Sequence, residues 1–141
     1  MANVKLRKAV EGLAEDVAYV PEGPNKWSVA QVLAHLSVTE RVFQCWLDEA
    51  VRGGRPAIDD AAVTSAWKLG AVLASHPAVA ELLDRLRRDQ AETMALIERV
   101  PDDVIHFKPR WARVARTALE FNTHSDDHLD QIARIRKAIG T

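Results

Sequence analysis

Two histidines, His124 and His128, stand four residues apart in a segment whose apolar residues recur with helical spacing. Because one helical turn separates positions i and i+4, both imidazoles leave the same face of the helix, about 5–6 Å apart at Cβ. Histidine is the commonest side-chain ligand of metal ions in proteins, and two imidazoles at this spacing can close on one ion. The pair therefore predicts a metal site on a helix.

A third histidine, His35, lies on the apolar stripe of an earlier predicted helix, beside Leu36. An unpartnered polar group in a helical core costs roughly a few kcal/mol, so three inward histidines need partners. Three imidazoles would bind Zn²⁺ or a similar ion and leave one coordination position open for water or substrate. The alternative to a metal site is that the three histidines lie in the core or at its rim and form hydrogen bonds with neighbouring groups. His76 and His106 are predicted to have surface or capping roles.

Four long amphipathic helices are predicted to position these histidines. They run from about Val4 to Val17, from Ser28 to Val51, from Ala78 to Val100, and from near Ala112–Thr117 to Ile139. Ser28 is the expected N-cap of the second helix, and glycines end the second and fourth. Since no run alternates with period two, we expect no sheet. The pattern predicts an all-α four-helix bundle that forms a single domain over residues 1–141.

The connections between these helices are less regular. Arg55–Asp60, which contains Pro56, is predicted to be a loop, and Val104–Trp111 is predicted to be another. Ala61–Ala74 is expected to form a short extra helix between the second and third long helices, with Trp67 as a candidate anchor.

The composition excludes several classes of protein. The chain has 141 residues, of which 48% are hydrophobic and 28% are charged, as expected of a folded globular domain. A net charge of −1 gives no global attraction to nucleic acid or anionic lipid, so neither is an expected partner. The single cysteine, Cys45, excludes an intrachain disulfide, and we expect it to be packed within its helix. No apolar run approaches the ~20 residues of a membrane span, and Met1–Lys8 lacks a signal core, so a cytoplasmic location is expected.

Carboxylates often orient metal-binding histidines through their second ring nitrogen. Asp127 and Asp130 lie near the histidine pair in sequence, and Glu40 lies on the helix of His35. Each is a candidate for this role, and the alternative for each is a solvated helix residue.

A cluster of cations surrounds Trp111 near the start of the fourth helix. A cation at a helix N-terminus interacts unfavourably with the helix macrodipole, at a cost of a few tenths of a kcal/mol for each cation. An anionic ligand would offset this cost, so the cluster could mark a site for one. The alternative is a solvated basic face. The cluster consists of Lys108, Arg110, Arg113 and Arg116.

Three segments, in order along the chain, resemble the DinB/YfiT-like proteins. Trp27–Leu36 is similar to their second-helix signature, and Arg113–Leu119 is similar to the start of their fourth helix. His124–Ile132 resembles their fourth-helix signature, in which two histidines four apart precede a Gln-Ile pair. The resemblance covers nearly the whole chain and implies a metal-binding four-helix bundle.

The resemblance also implies a function. It implies a divalent ion, Zn²⁺ or Ni²⁺, held by His35, His124 and His128, and a homodimer. Family members with known chemistry include S-transferases and isomerases that use low-molecular-weight thiols such as mycothiol, bacillithiol or glutathione. We therefore expect a metal-dependent enzyme of S-transferase type that activates a small thiol or water toward a small-molecule substrate. The alternatives are a metal-dependent hydrolase and a non-catalytic metal-binding or dimerising stress-associated protein.

Overall fold

The computed structural model describes residues 2–55 and 60–141, and every regular element within these ranges is a helix. The all-α prediction is therefore confirmed. Short segments accompany the long helices, so the described chain has more helical segments than the four-helix pattern predicts. The helices are α1 (Ala2–Ala9), α2 (Glu15–Ala18), α3 (Val29–Val51), α4 (Asp60–Thr64), α5 (Ala66–Ser75), α6 (Val79–Glu98), α7 (Asp102–His106) and α8 (Lys108–Ile139).

The helix that carries His35, α3, lies at the centre of the fold. It begins as predicted, because the Ser28 hydroxyl accepts a hydrogen bond from the Gln31 amide at 3.3 Å and the Gln31 side chain accepts one from the Ser28 amide at 2.8 Å. All residues from 32 to 40 are buried, and α3 packs against α4, α5, α6 and α8. Over these nine residues α3 is therefore buried on every face, and the close packing around it restricts the side chain of His35.

The core consists of two clusters along α3. The larger surrounds its first half and includes Leu6 of α1, Leu82 of α6 and Ile132 of α8. The smaller surrounds its second half and includes Phe43 and Val114. The predicted inward positions of α3 are all buried, namely Val32, Leu36, Phe43, Leu47 and Ala50. The side chains of Phe121 and Ser125, which the pattern places on the inward stripe of α8, lie outside the described residues.

The first predicted helix is wrong at its C-terminal end. It stops at Ala9 instead of Val17, and the short helix α2 follows. Gly12 has φ +73°, a left-handed conformation that ends regular helix and that glycine adopts at little cost. Leu13 and Val17 are nevertheless half-buried, so the break keeps the apolar residues directed toward the core.

The predicted Val104–Trp111 loop is also wrong. Its first part belongs to α7, and α8 begins at Lys108, earlier than predicted. Pro109 lies in the first turn of α8, where the missing amide hydrogen has no helical partner to lose. At the other end, α8 stops at Ile139 as predicted, and Gly140 has φ +82°.

The expected short helix in the linker is present as two segments, α4 and α5. Trp67 is 73% exposed and is therefore not the anchor; Leu69 and Val72 of α5 are the buried residues. Pro56 of the predicted Arg55–Asp60 loop lies outside the described residues.

Cys45 is exposed, so the prediction that it is packed within its helix is wrong. In the described part of the chain, no helix has both the length and the apolar character needed to cross a membrane.

Candidate metal centre

Three imidazoles meet at the interface of α3 and α8. The Nε2 atom of His124 lies 3.1 Å from Nε2 of His35 and 3.0 Å from Nε2 of His128. One ring nitrogen from each histidine lies within 4.8 Å of the other two. The structure thus brings together the three histidines that the sequence predicts as ligands. His76, the C-cap residue of α5, and His106, at the end of α7, do not belong to this group.

Hydrogen bonds on the far side of two rings fix their orientation. Nδ1 of His35 donates to the main-chain oxygen of Val63 at 2.9 Å. Nδ1 of His128 donates to the side-chain oxygen of Gln131 at 2.7 Å. A carbonyl oxygen can only accept, so the ring proton of each neutral imidazole resides on Nδ1. The lone pair of each Nε2 is therefore directed toward the centre of the triad.

This arrangement fits a divalent cation. The Nε2 lone pairs of His35 and His128 both face Nε2 of His124. A proton on Nε2 of His124 could donate a hydrogen bond to only one of these two lone pairs. A cation at the centre would satisfy all three nitrogens at once. Neutral imidazole nitrogen is a good ligand for zinc and nickel, and a hydrogen bond at the second nitrogen is the usual support for such a ligand.

Burial keeps the two best-enclosed imidazoles in the form that binds metal. Loss of solvation lowers the pKa of His35 to about 4, although the hydrogen bond to Val63 acts in the opposite direction and raises this pKa. Loss of solvation likewise lowers the pKa of His128, against the effect of its bond to Gln131. Near pH 7 both rings are therefore neutral, and no proton has to leave Nε2 before an ion binds.

Two neighbours on or beside α3 restrict the ring of His35. The Trp27 ring lies against it, with 4.8 Å between the ring centroids. The Thr39 hydroxyl donates to the main-chain oxygen of His35 at 2.8 Å and lies 3.5 Å from its Nε2. Trp27 precedes the N-cap Ser28, so the same turn that starts α3 also brings the indole onto the histidine.

A cleft of about 400 Å³ gives access to the three histidines. This volume is in the range of small-molecule binding sites. An ion held by three protein ligands has room for a further ligand on the side of the cleft. The lining residues are Asn25, Lys26, Trp27, His35, Val63, Thr64, His124, His128 and Gln131.

The carboxylates predicted as histidine partners do not have that role. Asp127 and Asp130 are exposed on α8, and the group that orients His128 is the amide of Gln131. The i,i+3 spacing of His128 and Gln131 is a sequence signal that could have revealed this contact. No residue type could have revealed the bond from His35 to Val63, because it uses a main-chain oxygen.

Glu40 belongs to a different polar cluster, between α3 and α6. Its carboxylate accepts a hydrogen bond from the Thr93 hydroxyl at 2.6 Å and is buried. Burial raises its pKa to about 7, and the negative charge of Asp89 adds to this increase. The carboxylate is thus enclosed at the helix interface and does not contact the histidines.

The basic cluster does not contribute to the histidine cleft. Lys108 and Arg116 are exposed, and Arg110 and Arg113 are half-buried at the start of α8. None of these four residues lines the cleft. Trp111 and Trp67 are also absent from its lining.

Comparison with known proteins assigns the chain to a family. The sequence model of the DinB superfamily matches residues 2–132, a range that includes all three histidines, the whole of α3 and most of α8. A comparison with curated proteins and a comparison with solved structures gave no match. Because the family match extends over most of the chain and agrees with its all-α fold, the chain belongs to the DinB superfamily.

Proposed function

We propose that this protein binds a divalent metal ion, Zn²⁺ or Ni²⁺, through His35, His124 and His128, and that it uses the ion in an S-transferase reaction of a small thiol. The observation that carries the proposal is the convergence of three Nε2 atoms whose second nitrogens, in His35 and His128, donate to oxygen acceptors. Membership of the DinB superfamily supports a metal site at this position.

The residues around the triad have distinct tasks in this proposal. Val63 and Gln131 hold the ring protons on Nδ1 of His35 and His128 and so reserve both Nε2 atoms for the ion. Trp27 limits rotation of the His35 ring and forms one wall of the cleft. A bound divalent ion would supply Lewis acidity, which lowers the pKa of a thiol or water so that a nucleophile forms near neutral pH.

The cleft then provides the place where the nucleophile meets its substrate. Its volume of about 400 Å³ accommodates a small thiol with a small electrophile beside it. If water takes the place of the thiol, the same geometry favours a hydrolase. If neither reacts, the protein is a non-catalytic metal-binding bundle. The homodimer, the single domain over residues 1–141 and the cytoplasmic location stay predictions.

A turnover assay separates these functions. The metal-loaded protein is mixed with mycothiol, bacillithiol or glutathione and an electrophilic aryl chloride, and loss of free thiol is recorded. We expect turnover that a chelator abolishes and that the double variant His124→Ala/His128→Ala lacks. His106→Ala is the matched control and should keep the wild-type rate. Metal-loaded protein that consumes no thiol but hydrolyses an activated ester would favour the hydrolase instead.

A further inference from the structure

We propose that the histidine cleft selects small thiols that also carry a carboxylate, and that Lys26 is the specificity-determining residue that binds this carboxylate. The inference rests on the proposed function and concerns the substrate class of the same site. It follows from the charges that surround the cleft and from the position of Lys26 at its rim.

The first step is the balance of charge. Three histidines bind an ion as neutral ligands, so a divalent ion would bring two positive charges that the triad does not neutralise. None of the described residues that line the cleft is a carboxylate. Asp127 acts on His128 through its charge, but it is exposed and is not among the lining residues. A site of this kind attracts anions.

The second step is the state of Lys26. It is the one Lys or Arg residue among the described lining residues. Its ammonium makes no hydrogen bond or ion pair with any residue that the structure describes. Other lysines do have partners: Lys5 pairs with Asp126 at 3.2 Å, and Lys68 donates to the main-chain oxygen of Ala62 at 2.8 Å. The charge of Lys26 thus remains available to a ligand.

The third step is the position of the Lys26 backbone. The Lys26 amide donates to the Gly23 oxygen at 3.1 Å, which closes a tight turn, and Asn25 within this turn has φ +57°. The next residue, Trp27, packs its ring on His35. The backbone of Lys26 is therefore anchored one residue away from a side chain that contacts the triad. A thiol bound at the histidines would place its remaining atoms along this rim.

A matched pair of probes tests the proposal. N-acetylcysteine and N-acetylcysteine amide have the same thiol and the same skeleton, and only the first carries a carboxylate. The dissociation constant of each probe is measured by calorimetry on the zinc-loaded protein and on three variants. Lys26→Gln removes the charge, Lys26→Arg keeps it, and Lys137→Gln removes an exposed charge from the last turn of α8. Comparison of the ratio of the two constants between the wild type and each variant cancels the intrinsic difference between the probes.

We expect the wild-type protein to bind the acid about fivefold more tightly than the amide, which corresponds to about 1 kcal/mol. Lys26→Gln should reduce this preference to the part that the charge of the ion alone produces, and it should leave the affinity for the amide unchanged. Lys26→Arg and Lys137→Gln should keep the preference. Because the lysine is at the rim, the preference should also shrink when the salt concentration rises from 50 to 500 mM.

The zinc content of each sample, measured after the titration, distinguishes a failure of the Lys26 proposal from a failure of the proposed metal site. If zinc is bound and Lys26→Gln keeps the wild-type preference, the role of Lys26 is overturned while the metal site stands. If zinc is bound and neither probe binds, both the role of Lys26 and the thiol chemistry are overturned. If the wild-type protein holds no zinc at the triad, the proposed function itself fails.

Discussion

The Nε2 atoms of His35 and His124 lie 3.1 Å apart, although the two residues are 89 positions apart in the chain. The ring of His35 carries its proton on the opposite nitrogen, where it donates to Val63. The contact therefore directs a lone pair of His35 at a second imidazole nitrogen, and His128 does the same from the other side. A cation shared by the three nitrogens would stabilise such a triad, whereas additional protons on these nitrogens would repel one another.

The first prediction concerns acid stability of the metal-free protein. The pKa of His35 falls from 6.5 to about 4 on folding, so the unfolded chain binds more protons between these values. The stability contributed by neutral His35 is present above pH 6.5 and is lost as the pH falls toward 4. Urea unfolding at pH 7.5, 5.5 and 4.5 should show this loss, and His35→Gln should show a smaller one. An identical pH dependence in the variant would contradict the assignment.

The second prediction concerns the effect of metal on unfolding. An ion that binds only the folded chain stabilises it by about 2.7 kcal/mol when its concentration is 100 times the dissociation constant. Zinc should therefore raise the melting temperature at pH 7.5, and the increase should diminish below pH 6 as protons compete for the imidazoles. His124→Ala should show no increase, whereas His76→Ala should behave as the wild type. Equal increases in both variants would mean that zinc binds elsewhere.

The third prediction concerns the buried carboxyl of Glu40. Its pKa rises on folding from 4.5 to about 7, so the folded chain binds more protons between these values. The stability of the neutral carboxyl is present below pH 4.5 and is lost as the pH rises through 7. The groups that face it from α6 are the Thr93 hydroxyl, Gln90 and the carboxylate of Asp89.

Glu40→Gln keeps an acceptor for Thr93 and removes the charge. We expect the variant to unfold at a higher urea concentration than the wild type at pH 8 and at the same concentration at pH 5. Glu98→Gln, at an exposed position at the end of α6, should leave the midpoint unchanged at both values. A Glu40→Gln variant that is less stable than the wild type at pH 8 would show that the ionised carboxylate is stabilising.

The fourth prediction contrasts two aspartates of α6. The side chain of Asp89 is 2% exposed and lies 2.7 Å from Arg41, and it also accepts from the Ser37 hydroxyl at 2.5 Å. Its replacement by Ala should cost about 3 kcal/mol, because the hydroxyl and the cation lose a buried partner. The ion pair of Asp84 with Arg7 is half-exposed on both sides, and Asp84→Ala should cost less than about 1 kcal/mol. Similar costs in urea unfolding would contradict this ranking.

The structural features that could be predicted are those that a pattern of residue types in the sequence indicates. The inward positions of α3 follow from its helical period, and its start follows from the Ser28–Gln31 capping pair. The grouping of His35 with His124 and His128 follows from polar residues that recur on apolar stripes. The first two features are local and are encoded within a few residues of the sequence, whereas the histidine grouping joins two helical stripes that lie far apart in the chain.

Other features depend on tertiary context and could not be predicted. The bond from His35 to Val63 uses a main-chain oxygen of the linker, which has no residue signature. The break after Ala9 depends on the left-handed turn at Gly12, although the apolar stripe continues through it. The early start of α8 includes Pro109 in the first turn. The sequence pattern predicts a loop at this proline, although the first turn of a helix tolerates proline.

The metal content of the purified, untagged protein tests the central claim most directly. Elemental analysis is performed after incubation with zinc or nickel and removal of excess ion, on the wild type, His35→Ala and His106→Ala. We expect about one ion per chain in the wild type and in His106→Ala, and almost none in His35→Ala, with circular dichroism showing that all three remain helical. An ion that His35→Ala retains, or a wild type that holds none, would contradict the three-histidine site and the enzymatic function proposed from it.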